Sequence, residues 1–84
     1  MKRIGKFYIN TVDVMEDEVM HQVFAQLQFI PLRVENLAYS DRFEFIGISP
    51  MFEPLKKEFM AGEYNIEIIH NEDDDSISVK AVRG

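Results

Sequence analysis

The chain has 84 residues and a formal net charge of −6, from 15 Asp and Glu against 9 Lys and Arg, with 46% hydrophobic residues and no cysteine. That length holds one hydrophobic core rather than two, and the apolar fraction is too high for a disordered chain. Without cysteine there are no disulfide staples and no thiolate zinc sites, and the excess of acid argues against duplex DNA or RNA gripped through its phosphates.

Residues 2–12 read as a strand, because Ile4, Phe7, Tyr8, Ile9 and Val12 are β-formers without a helical stripe. Lys2, Arg3 and Lys6 make its start basic, but the apolar run Phe7-Tyr8-Ile9 stops at Asn10, so no export signal is expected. A helix is expected from Asp13 to Gln28. Asp13 supplies an N-cap acceptor, Glu16 follows three residues later as in a capping box, and Glu16, Asp17 and Glu18 sit where the helix dipole is positive. Met15, Val19, Met20, Val23, Phe24 and Leu27 form an apolar stripe of helical period, leaving Glu18, Gln22, Gln26 and Gln28 on the wet side. Pro31 stops the helix.

From Pro31 the alternation of Leu32 and Val34 with Arg33 and Glu35 predicts a strand, extended by Leu37 and Tyr39. Ser40-Asp41 turns the chain into Arg42–Ile48, an antiparallel partner whose run Phe45–Ile48 predicts cover on both faces, with Gly47 as a point of close approach. Ser49-Pro50 breaks that strand. Pro54 opens a short helix through Met60, closed by Gly62 as C-cap. Tyr64, Ile66 and Ile68, then Ile77, Val79 and Ala81, alternate with polar residues on either side of Asn71–Asp75, which gives a closing hairpin. The whole predicts one α+β domain over residues 1–84. It is a two-layer sandwich in which a mostly antiparallel sheet of four to five strands carries one main helix and a second short helix. The β-α-β-β-α-β-β order follows a ferredoxin-like split βαβ with a fifth strand appended.

Chemistry is less legible. There is no nucleophile elbow, phosphate loop or dinucleotide fingerprint, and His21, with Glu18 and Asp17 three and four residues before it, and His70 beside the acidic turn read as surface histidines helped by nearby carboxylates rather than as ligands. Glu72, Asp73, Asp74 and Asp75 lack the spacing of a calcium loop and read as a solvated turn. No catalytic residue, metal or cofactor is therefore expected, and the chain reads as a binder rather than an enzyme. Met51 and Phe52, two large hydrophobes in a proline-flanked loop, either plug the open end of the sandwich or are the candidate partner-binding residues, with Tyr39, Arg42 and Phe43 extending the patch. Asp13, Glu16, Asp17 and Glu18, with Glu72–Asp75, form two acidic clusters suited to a basic target.

The expected function is that of a small acidic cytosolic interaction module, a regulator, inhibitor or accessory subunit that binds a protein partner or its own copy, with no direct nucleic-acid or membrane contact. Compact acidic domains are common among phage and mobile-element products, an association of composition alone. The alternative is a small-molecule or nucleotide binder with a pocket at a dimer interface or between helix and sheet, lined by Met20, Phe24, Phe45 and Tyr64. For a domain of this size stability on the order of 5 kcal/mol is expected, and dimerisation would add to it.

Overall fold

Alternation decides the sheet. In Ile4–Asn10 (β1) the residues Gly5, Phe7 and Ile9 are buried while Ile4, Lys6 and Tyr8 are only half-buried, as a strand with one face on a core requires. The computed structural model of the protein describes residues 3–54 and 62–84. Within them Ile30–Leu37 (β2), Arg42–Ile48 (β3), Gly62–Asn71 (β4) and Ser76–Arg83 (β5) join β1 in a mixed five-stranded sheet of order β2-β3-β1-β4-β5. β2 with β3, β3 with β1, and β4 with β5 are antiparallel, whereas β1 and β4 are parallel and meet only at Gly5–Gly62 and Lys6–Glu63. Three of these four pairings are antiparallel, and the parallel step is confined to β1 and β4. It follows from the path of the chain, because β3 ends and β4 begins at the same end of the sheet.

The expected single helix is broken in two. Thr11–Val14 (α1) is a short turn of helix and Asp17–Leu27 (α2) is the main one, with Glu16 between them in an extended conformation. Neither Asn10 nor Glu16, the two N-cap residues, makes a side-chain cap bond, and Asp13 lies inside α1, so the capping box does not form. The stripe is correct at Val19, Val23 and Leu27, which are buried, and in part at Met20 and Phe24. Met15 falls outside it, 78% exposed at the junction. Val12, expected in the first strand, is in α1 and exposed.

α2 ends three residues before Pro31 is reached. Gln28 takes a left-handed conformation at φ 50°, and its N–H donates to Ala25 O. The reversal turns Phe29 into the core, where its ring meets Phe7 edge-on at 5.0 Å and Phe24 at 5.5 Å. A side chain other than glycine in this region costs backbone energy. Gln28→Gly is expected to stabilise the fold by about 1 kcal/mol, or roughly 4–8 °C in Tm, measured by thermal unfolding. A lower Tm would show that the Gln28 side chain compensates for its backbone.

The core is largely aromatic: Phe7, Phe29, Phe45, Phe52 and Tyr64 pack with Ile9, Val19, Val23 and Leu27. Gly47 is the close-approach point expected of it, since a Cβ there would collide with the Ile30 carbonyl oxygen and stand 2.5 Å from Phe29 Cζ. Phe45 and Gly47 are buried, but Ile46 and Ile48 on the opposite face of β3 are only half-buried, so this strand is covered on one face rather than two. Gly62 opens β4 as a buried strand residue. The short helix expected over residues 54–60 falls almost wholly outside the described residues.

Candidate interaction surface

The five residues expected to form one apolar patch lie at two ends of the sheet. Tyr39 is exposed in a single 3-10 turn, Ala38–Ser40, that leads into β3, and Arg42 and Phe43 begin that strand. Met51 and Phe52 follow its other end, roughly 20 Å away along seven strand residues. Arg42 is occupied: its guanidinium carbon sits 4.0 Å from the centre of the Tyr8 ring, on the sheet face away from α2. Phe43 packs half-buried against the core.

Met51 and Phe52 also part company. Met51 is exposed, whereas Phe52 is completely buried, stacked on Tyr64 at 4.4 Å and so close over Gly5 that a Cβ there would stand 2.6 Å from its ring. Phe52 therefore closes the base of the core and offers no surface to a partner. The loop is fastened by the buried Ser49, whose hydroxyl donates to Leu27 O at 2.6 Å and accepts from the Met51 N–H. Arg3 Nη1 donates to Phe52 O, and Glu53 N–H donates to the Tyr64 hydroxyl.

The two edges of the sheet are treated differently. On β5 the Gly84 N–H bonds Glu63 O, a register in which Ile77, Val79 and Ala81 turn their own N–H and C=O groups outward. The Gln26 side chain meets them from α2: its Nε2 donates to Ile77 O at 2.6 Å and its Oε1 accepts from the Val79 N–H at 2.8 Å. Gln26 thus takes two of the outward groups of this edge, as a neighbouring strand would, and caps its Ile77–Val79 stretch. The wet-side assignment of Gln26 is corrected accordingly. No pattern in the sequence marks it, because its role depends on α2 packing against β5.

Among the described residues no side chain meets the edge of β2 in this way. The Thr11 N–H bonds Asp41 O and the Ser49 N–H bonds Arg3 O, which commits Phe43, Phe45 and Gly47 to β1 and leaves Arg42, Glu44 and Ile46 to bond β2. Leu37, Glu35 and Arg33 are therefore bonded inward, and the backbone groups of Val34 and Asn36 point away from the sheet. Pro31 pairs with Gly47, a position whose missing N–H would also point outward, as befits an edge strand. Seven of the eight β2 residues are exposed. They include Ile30 at 60%, Leu32 at 58% and Val34 at 49%, beside a bulge between Pro31 and Arg33. Strand alternation was expected to bury Leu32 and Val34. It does not, because α2 packs over the β5 side of the sheet.

The acidic clusters share one end of the sheet. β1 and β4 are parallel and finish there, so the α1–α2 junction with Asp13, Glu16, Asp17 and Glu18 and the turn Glu72–Asp75 both project from it. All but Asp13, which is half-buried, are exposed. The Ser76 hydroxyl, and then the Ser76 backbone N–H, hold the Asp74 carboxyl below the usual aspartate range. His21 and His70 are exposed, and among the described residues no group of three or more His, Asp or Glu side chains is placed to hold a metal ion. No described helix is long and apolar enough to cross a membrane. Comparison with family models, with curated proteins and with solved structures gives no match, so the geometry alone carries the functional reading.

Proposed function

We propose that the protein is a small interaction module, acting by binding rather than by catalysis, whose docking element is the open edge of β2. A regulator, an inhibitor and an accessory subunit would all work this way. The observation that carries this reading is the contrast between edges: Gln26 caps the Ile77–Val79 stretch of β5, while β2 keeps its outward backbone groups and three large apolar side chains in water. An extended partner segment laid along β2 would satisfy the first and cover the second. The acidic end of the sheet would add attraction for a basic partner. A ligand pocket between helix and sheet is less favoured, since Phe45 and Tyr64 are buried among other rings and Phe24 meets Phe29 and Phe45 edge-on.

Amide hydrogen exchange tests the docking strand. In the monomer, with β2 unoccupied, the Arg33 and Glu35 amides, bonded to β3, exchange slowly, and those of Val34 and Asn36 exchange fast. In a complex captured from the source cells, Val34 and Asn36 become protected. Val34→Pro removes an outward N–H without touching the ladder to β3, so this variant is expected to fold and to lose the complex. Capture that is undiminished by Val34→Pro, with Val34 and Asn36 still exchanging fast in the native complex, would refute the docking role of β2.

A further inference from the structure

Resting on the docking role of β2, we infer that the segment which occupies this edge is β2 of a second copy of the chain, paired antiparallel about a two-fold axis through Val34. The charges on the strand select that register. With Val34 opposite its own copy, Arg33 of each chain faces Glu35 of the other, twice per dimer. Centring the axis on Arg33 or on Glu35 instead sets like charges directly opposite one another.

The backbone agrees with the charges. Val34 and Asn36 carry the outward N–H and C=O groups, so the central Val34 pair exchanges two hydrogen bonds. Arg33 and Glu35 then fall at the flanking non-bonded positions, where facing side chains approach more closely. Within one chain Arg33 Nη2 already lies 3.0 Å from Glu35 Oε2, both side chains well exposed, so the two are held on the same face of the strand and are ready to be shared across the axis. The central contact adds Val34 to Val34, apolar area that is half in water in the single chain. Pairing β2 with β2 makes one continuous ten-stranded sheet from the two five-stranded sheets and removes the open edge from both copies.

Charge exchange tests this directly. By sedimentation velocity the native chain is expected to be a dimer. Arg33→Glu and Glu35→Arg, each at an exposed position, are expected to weaken self-association at least about tenfold, because each replaces two attractive pairs with two repulsive ones. The double variant R33E/E35R restores the dimer. So does an equimolar mixture of the two single variants, since each then supplies the charge that the other lacks.

The chain has no cysteine, so Val34→Cys provides a separate reading. Central Cα atoms about 5.5 Å apart lie within disulfide range, and the oxidised variant should run as a covalent dimer while Tyr39→Cys does not. A native chain that sediments as a monomer, or single variants that dimerise as well as the native chain, would overturn self-pairing. In that event protection of Val34 and Asn36 by a different protein would leave the docking role of β2 standing, whereas a native dimer that Val34→Pro does not disturb would remove both.

Discussion

Phe52→Ala is expected to destabilise the protein by about 3–5 kcal/mol, close to the whole stability of a domain this size, whereas Met51→Ala next to it changes stability by no more than about 0.5 kcal/mol. The contrast follows from where the two side chains go. Phe52 has no exposed surface, and its ring contacts Tyr64, Phe7 and Phe29 at centroid distances of 4.4, 6.4 and 6.2 Å. Truncating it leaves a cavity that these stiff neighbours cannot collapse into, and Gly5 beneath it offers no side chain to fill the gap. Met51 keeps half its surface in water, and its backbone N–H donates to the Ser49 hydroxyl. Urea unfolding measures both effects: the Phe52→Ala midpoint should fall steeply at an unchanged slope, while that of Met51→Ala stays near the native value. A stable Phe52→Ala protein would mean that the loop does not seal the core.

Much of the fold was readable because local pattern and global packing agree over most of the chain. Val19, Val23 and Leu27 occur at helical spacing and are all buried, and Ile77, Val79 and Ala81 turn one face toward the core as their alternation requires. The misreadings share a cause. An apolar pattern states which face would prefer burial, but it does not state whether another element reaches that face. Leu32 and Val34 alternate like core residues and remain largely in water because α2 packs toward the β5 end of the sheet rather than over β2. Phe29 lies just beyond a helix end and enters the core only because Gln28 reverses the backbone, a conformation that glutamine does not advertise.

The same limit applied to the candidate site. Met51 and Phe52 are equally conspicuous as sequence, and only the turn at Ser49 separates the buried one from the exposed one. The acidic clusters were read as two separate features, and their shared location depends on β4 running parallel to β1. Gln26 belongs to a polar face by spacing and becomes an edge cap only through the docking of α2.

Gln26→Leu is expected to change how the protein associates as well as how stable it is. Leucine keeps most of the bulk of the side chain but neither donates nor accepts, so the Ile77 C=O and the Val79 N–H lose the partners they have at 2.6 and 2.8 Å. The direct cost is about 1–3 kcal/mol, the range for leaving partly buried polar groups unpaired. The second effect concerns topology. A chain with one open edge closes on itself as a two-fold pair, and association stops there. A chain whose β5 edge is also uncapped has a second self-pairing strand, so dimers joined through β2 can add to one another through β5 without limit. Concentration-dependent sedimentation of Gln26→Leu should therefore show species larger than the dimer. Arg33→Glu placed in the same chain should shorten them to pairs joined through β5 alone. If Gln26→Leu loses stability and remains a simple dimer, the Gln26 amide is a structural tie and not a guard of the edge.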